Sequence, residues 1–348
     1  MTPYRHLPRK VEFARDAIVT WIHDRKLSVG DRLPPYAQLR SEFGLGSQTI
    51  AAAIGSLCEL GVLEVRDKVG IFVKNPAGGH LAGRTVALVV RHLVGSAYSA
   101  TLAGFIQKLL NERNCRCLTF FQSSPLELGA TSGLDDFPGL EQAVSERRCD
   151  GIITFCPFSE AALRRLDRLG VKSCFVGDDD QCEMPNGVMI AVRDFIRDAV
   201  AALREKGCSR LVQLCVSPKQ LERRGCGIPA RIGSSYDGGA AVAEQLLALP
   251  PARRPDGVIS DDDVVVSGFL AKLVERQLPK IGYMPYVATI VHKELGERYP
   301  SNRMILFEQE IEVYALSAVE LLMQFLRGSR VSDNKITYRF KPIVTPKP

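Results

Sequence analysis

From Arg84 onward the chain alternates continuous apolar, β-branched runs with amphipathic stretches, and nothing else in the sequence limits its architecture so tightly. Residues 86–90, 118–121, 151–155, 173–176, 211–216, 257–259 and 286–290 read as strands. Helical spacing fills the intervals, at 105–110, 143–147, 161–169, 194–203, 240–249, 268–277 and 313–327. A strand without polar alternation is buried on both faces, which indicates a parallel sheet with helices on each side. So many strand–helix units over residues 84–348 predict two lobes rather than one sheet.

The clearest seam precedes this region, at Asn75-Pro76-Ala77-Gly78-Gly79, a Pro/Gly break. We therefore expect a first domain at 1–75, a linker at 76–83 and a two-lobe domain at 84–348. Hydrophobic residues at 46% and charged residues at 24% of 348 place the chain among folded globular proteins and exclude a disordered or fibrous one. No apolar run approaches the ~18 residues of a membrane span, and charges run through the first 30 residues. The ten cysteines are scattered, several inside apolar runs (Cys58, Cys156, Cys174, Cys215), as expected of free thiols in a reducing cytoplasm.

Before the seam the pattern is different. Val11, Ala14, Ile18, Trp21 and Ile22 recur at helical spacing, and Ser28-Val29-Gly30-Asp31 ends the helix. A second helix is expected over Tyr36–Phe43 after Pro34-Pro35. Gly44-Leu45-Gly46 makes a turn, and a third helix, with Ser47 as its N-cap, runs through Ile50, Ala53, Ile54 and Leu57 to Gly61. Residues 62–65 and 71–74 then flank Arg66-Asp67-Lys68-Val69-Gly70, a hairpin with a basic tip. Helix, short helix, glycine turn, helix and hairpin make a winged helix-turn-helix. Small and polar residues at the start of the third helix (Ser47, Gln48, Thr49, Ala51, Ala52) suit entry into a major groove. Gln48 can hydrogen-bond an adenine edge, Thr49 a base or a phosphate. Arg40, Arg66 and Lys68 are expected at phosphates, with Tyr36 and Gly70 beside them. Residues 1–75 hold 11 Lys and Arg against 8 Asp and Glu, a mild basic lean within a chain of net charge +6.

This block resembles the GntR family of bacterial repressors. The likeness rests on Asp31-Arg32-Leu33-Pro34, Phe43-Gly44-Leu45, Thr49-Ile50, Ala53-Ile54, Leu57, Leu60-Gly61-Val62-Leu63 and Gly70-Ile71-Phe72-Val73, spaced as in that family across residues 8–74. Where the family usually has recognition-helix arginines, this chain has Ser47 and Ala51. Its usual Ser-Glu pair is Pro35-Tyr36, and the first wing glycine is Lys68. The resemblance implies the fold and groove docking, while the altered residues imply a different operator sequence.

The remainder resembles the effector domain of LacI-type repressors, itself similar to periplasmic sugar-binding proteins. Carrying the likeness are Arg84-Thr85-Val86-Ala87-Leu88-Val89-Val90, Leu102-Ala103-Gly104-Phe105, Cys149-Asp150-Gly151-Ile152-Ile153, Pro255-Asp256-Gly257-Val258-Ile259-Ser260-Asp261-Asp262 and Ala318-Val319-Glu320-Leu321-Leu322. By position the resemblance implies that Asp262 accepts from ligand hydroxyls, that Tyr98 lines the cleft and that Gln309 sits at the lobe crossover. Arg193 and Arg224 are further ligand candidates. His92, Gly95 and Ala191-Val192 replace polar residues usual in the family, which leaves open an atypical sugar, another small molecule or no ligand.

No catalytic set, cofactor or metal site is expected. Cys115-Arg116-Cys117 lacks ligand spacing, the five histidines are isolated from one another, and Gly225-Cys226-Gly227 is no phosphate loop. The aspartate triplets 178–180 and 261–263 read as solvated loops. The expected function is a ligand-responsive regulator, most simply a repressor, that binds a palindromic double-stranded operator as a homodimer without a membrane partner. Left open are an effector-independent DNA-binding protein whose α/β part only dimerises, and a carbohydrate-active enzyme.

Overall fold

The structure is a computed structural model describing residues 9–76, 83–91, 97–123, 130–179, 184–214, 236–296, 302–326 and 335–343. Most of the expected linker, residues 77–82, and Arg224, His92, Gly95 and Cys226 lie outside the described residues.

The first unit folds around three helices, α1 (Arg9–Asp24), α2 (Tyr36–Phe43) and α3 (Ser47–Glu59), and a hairpin of β1 (Leu63–Arg66) and β2 (Gly70–Val73). Ile18, Ile22, Leu39, Ile50, Ile54, Leu57, Val62 and Ile71 close its core. Burial stabilises each of these side chains by about 1.5–3 kcal/mol. α2 begins where Pro35 releases the chain and ends at Gly44, whose φ of 63° is left-handed. Ser47 is the first helical residue of α3, not its cap: Gly46 occupies that position in extended backbone, with no side-chain cap bond. Leu60 and Gly61 (φ 69°) end α3 as expected.

Two further sheets follow. The first runs β12-β7-β6-β5-β3-β4, every pair parallel. It contains β3 (Thr85–Val90), β4 (Arg116–Phe121), β5 (Gly151–Thr154), β6 (Lys172–Asp178), β7 (Gly187–Ile190) and β12 (Lys335–Tyr338), with helices α4 (Ala97–Glu112), α5 (Leu140–Ser145) and α6 (Glu160–Leu169). The second runs β13-β11-β10-β9-β8 and is parallel except at β13. It contains β8 (Leu211–Leu214), β9 (Gly257–Ser260), β10 (Tyr286–His292), β11 (Met304–Gln309) and β13 (Lys341–Pro342). α7 (Val192–Glu205) carries the chain from the first sheet to the second. α8 (Tyr236–Ala248) and α9 (Asp263–Gln277) cover the second sheet, and α10 (Ile311–Leu326) returns to pack against α4.

The two-lobe expectation and the parallel sheets are thus present, every residue of β3, β5, β7 and β9 being buried. Four strands are not foreshadowed by the sequence pattern: β7, β11, β12 and β13. α8 and α9 meet backbone to backbone, because a Cβ on Gly239 would overlap the Val265 carbonyl and one on Gly268 the Tyr236 carbonyl. Glycine at 268 is therefore a packing requirement.

Candidate nucleic-acid interface and ligand cleft

The amphipathic pattern of α3 decides which residues face outward. Ile50, Ala53, Ile54 and Leu57 turn into the core. This leaves Ser47, Gln48, Ala51, Ala52 and Gly55 exposed on one face, and Thr49 half-buried. α2 is held against α1 by the Trp21 indole and the Arg25 guanidinium, both donating to Glu42 Oε1 (2.6 and 3.1 Å), with Arg25 4.3 Å over the Trp21 ring. Arg40 stands exposed on α2. Tyr36 opens that helix partly covered near Cys58, and burial raises its phenol above the usual range.

The wing has a third strand-like segment that no periodicity announces. Gly30 N–H donates to the Val73 carbonyl (2.8 Å), Val73 N–H to Asp31 (2.9 Å) and Leu33 N–H to Ile71 (2.8 Å). At the tip Lys68 is left-handed (φ 57°), and Gly70 has φ 144°. Arg66 lies 4.5 Å over the Phe72 ring and donates to Glu64 (3.3 Å), so its guanidinium is held at the exposed side of the hairpin. The structure thus brings Arg66 and Lys68 together on the wing and Ser47, Gln48 and Thr49 together on α3. Beside Thr49 a groove of about 430 Å3 opens between α1 and the α2–α3 turn. Lys10 and Phe13 line it, two residues that sequence reasoning missed.

In both lobes the parallel strands end toward a common cleft, where ligands of open α/β sheets bind. Tyr98 of α4 reaches across to His292 at the end of β10, their rings 5.0 Å apart. His292 is paired in register with Gln309 of β11, itself buried. Burial pushes the Tyr98 phenol well above its ordinary range, and the Asp178 and Glu294 carboxylates add to the shift. Four buried polar atoms at these strand ends have no hydrogen-bond partner among the described residues: Arg91 Nη1, Gln122 Oε1, the Tyr98 hydroxyl and Glu294 Oε2. Leaving one such atom unpaired costs about 1–3 kcal/mol, so each of them favours a polar partner.

The structure gives Asp262 a structural task. It caps α9, Oδ1 accepting from Val265 N–H at 3.0 Å. Arg193 is exposed at the start of α7, its N–H donating to Asp179 (3.3 Å). Tyr98 thus meets His292, whose register partner is Gln309, while Asp262 and Arg193 sit at helix starts, and Arg224 is not described. Sequence reasoning missed Arg91, Gln122, His292 and Glu294. Each falls on the end of a strand or within two residues past it, a signal readable without the fold. Burial raises the Cys115, Cys149 and Cys174 thiols to about 12, so they are packing groups. Among the described residues no three His, Cys, Asp or Glu side chains gather at metal-binding distance, and no helix is long and apolar enough to cross a membrane.

Residues 10–73 match the model of the bacterial regulatory proteins of the gntR family. No curated protein sequence matches the chain. Among solved structures, the transcriptional regulator CelR in complex with cellobiose is 18% identical, with a TM-score of 0.56 over 90% of this chain and 99% of that one. A LacI-family transcriptional regulator from Enterococcus faecium with bound ribose is 17% identical, with a TM-score of 0.56 over 75% and 97%. The lac repressor dimer bound to operator and the anti-inducer ONPF is 14% identical, with a TM-score of 0.56 over 75% and 92%. At such identities the likeness is one of fold. The chain therefore carries a gntR-family winged helix at residues 10–73, joined to a two-lobe α/β unit with the fold of LacI-family regulators.

Proposed function

We propose that this chain is a ligand-responsive transcriptional regulator. Its winged helix reads a double-stranded operator, and its two-lobe unit senses a small hydroxylated molecule and dimerises. One observation carries this reading: a gntR-family DNA reader shares its chain with a cleft in which the Tyr98 hydroxyl, Arg91 Nη1, Gln122 Oε1 and Glu294 Oε2 are buried without hydrogen-bond partners among the described residues.

Gln48 and Thr49 read base edges from the start of α3, with Ser47 beside them. Arg40, Arg66 and Lys68 hold phosphates, and Tyr36 and Gly70 shape the surface around them. Two copies on a two-fold site supply the affinity that one small reader lacks. The CelR and Enterococcus faecium structures hold cellobiose and ribose, which supports a sugar for the cleft. Tyr98 offers a ring face and a hydroxyl. Gln309, Gln122 and Glu294 offer amide and carboxylate partners, and Arg91 a donor. Arg193 and Asp262 are assigned to the cleft rim, and Arg224, outside the described residues, is kept as a further ligand candidate. A ligand that favours one arrangement of the lobes shifts the readers only by its difference in affinity between the two arrangements. The same reading makes the chain a repressor of nearby uptake or catabolic functions and no enzyme.

The test is retention of genomic DNA fragments by the purified protein across a salt series, repeated with a panel of mono- and disaccharides. Salt-sensitive, fragment-selective binding that one sugar alters is expected. Selective binding unmoved by any sugar, with no thermal stabilisation by any of them, would favour the α/β unit as a dimerisation element alone.

A further inference from the structure

The base of the second lobe, at the opposite end of its sheet from the cleft, holds another cavity of about 300 Å3. Its walls come from residues 206–210 after α7, residues 251–256 before β9, residues 282–286 before β10, and Arg303 before β11. Lys206, Arg210, Arg254 and Arg303 all line it. Asp256 is the one carboxylate among the described lining residues.

That carboxylate is already committed. Asp256 accepts from Ser209 N–H (2.9 Å), Arg210 N–H (2.7 Å) and Ser209 Oγ (2.9 Å), and Arg210 Nη2 stands 3.6 Å away. The guanidiniums are oriented by carbonyl oxygens. Arg210 donates to Arg254 O (2.8 Å), Arg254 to Leu249 O (3.0 Å) and Leu247 O (2.7 Å), and Arg303 to Met284 O (2.6 Å). Carbonyls fix the planes of the Arg210 and Arg254 guanidiniums without cancelling their charge. Among the described residues the lining thus sets Lys206, Arg210, Arg254 and Arg303 against one engaged carboxylate. The C-terminus of α7 also ends here, but its partial charge of about half a unit offsets little of that. Like charges gathered around one concavity repel, and a multivalent anion relieves them. Guanidinium forks match the oxygens of phosphate in particular. Tyr283, Tyr286 and three prolines supply an apolar wall for a carbon skeleton, with Arg254 and Arg303 each 5.4 Å over one tyrosine ring.

We propose that this cavity binds a compact phosphate ester of two or more negative charges, as a second ligand independent of the cleft. The experiment is thermal shift and calorimetric titration of the full-length protein with α-glycerophosphate and phosphoenolpyruvate, citrate and NaCl serving as controls at matched ionic strength. The phosphate esters are expected to raise the melting temperature by about 2 °C or more at millimolar concentration. Lys206→Glu and Arg303→Glu, both changes at exposed side chains, are each expected to weaken binding about tenfold or more. Arg66→Glu with Lys68→Glu on the wing should leave it intact, which separates this site from a phosphate-binding DNA reader. A shift matched by NaCl means an adventitious ion only and overturns the proposal. So does citrate binding while the esters do not, or ester binding that survives both charge reversals.

Discussion

Arg84, at the foot of the first lobe's β3, is hydrogen-bonded to Asp16 on the winged unit's α1, and through Nη1 it also faces Asp150 at 3.6 Å. Asp150 in turn accepts from Thr85 N–H at 2.7 Å, which anchors the arginine to the sheet. A second tie runs from Asn114 Nδ2 to Leu60 O (2.7 Å), and Gly83 N–H donates to Asn114 O (2.9 Å). The DNA reader is therefore docked on the lobe by a shared guanidinium and an amide. Asp16→Asn removes the reader's half of the ion pair and leaves Arg84 with Asp150. Combined with Asn114→Ala, it should release the reader, a partly exposed pair of this kind contributing on the order of 1 kcal/mol. Scanning calorimetry should then resolve two unfolding transitions, with the reader melting first. A double variant that melts like the parent protein would show the docking to be energetically idle.

Base reading and phosphate holding separate experimentally. Gln48→Ala removes an exposed side chain from α3 and should cost about 1–3 kcal/mol against the preferred site while leaving non-specific binding unchanged. Arg66→Ala or Lys68→Ala should weaken all DNA alike and lower the slope of log affinity against log salt by about 0.9 for each phosphate no longer neutralised. Fluorescence anisotropy over a salt series, with specific and scrambled duplexes, distinguishes the two patterns. Equal weakening on both duplexes for Gln48→Ala would remove it from the reading face.

Gly70→Ala tests the wing. At φ 144° an L side chain is strained, and a Cβ would stand 2.6 Å from Arg32 Nε. Arg32 is long enough to yield, so the backbone strain dominates, at about 1–2 kcal/mol. The expected result is a lower melting temperature together with weaker, less salt-sensitive DNA binding.

How far the sequence discloses all this depends on the range of the interaction. α2 is legible to the residue because Pro35 and Gly44 are local punctuation. Parallel strands such as β3 and β5 declare themselves through uninterrupted apolar runs. β7 has only four residues, Gly-Val-Met-Ile, too few to set a period. The segment around Asp31 and Leu33 becomes part of the wing only through backbone bonds to residues some 40 positions away. The expectation of a Ser47 cap fails because serine is a common cap, while the left-handed Gly44 turn places extended Gly46 there instead. Tyr98 and Gln309 are proposed by position alone. The meeting of Tyr98 with His292, however, joins two lobes, and no local pattern of a lone histidine reports it.

Tyr98→Phe should act in opposite directions with and without ligand. The hydroxyl is buried and has no partner among the described residues, so removing it relieves an unpaired group and should raise the stability of the ligand-free protein by about 1 kcal/mol. The same change should weaken an effector that hydrogen-bonds there. Chemical denaturation and ligand titration on one variant check both signs. A destabilised ligand-free variant would mean that the hydroxyl already has a partner and lies outside the ligand's reach.

Acid should loosen the second lobe at its base. Burial opposes ionisation of Asp256, but the N–H groups of Ser209 and Arg210, the Ser209 hydroxyl and the Arg210 charge outweigh it and hold the carboxyl below its usual 3.8. A carboxyl depressed by folding contributes stability that is fully present above the unfolded value and is lost as pH falls through the folded one. The contribution is therefore constant from neutrality down to about pH 5 and is lost progressively below it. Asp256→Asn keeps the shape but loses the charge. It should be less stable than the parent at about pH 7 and converge on it as the solution is acidified below about pH 4. Urea denaturation midpoints at a series of pH values measure the gap, and a gap that stays constant down to about pH 3 would show that Asp256 is not held in its ionised form by these donors.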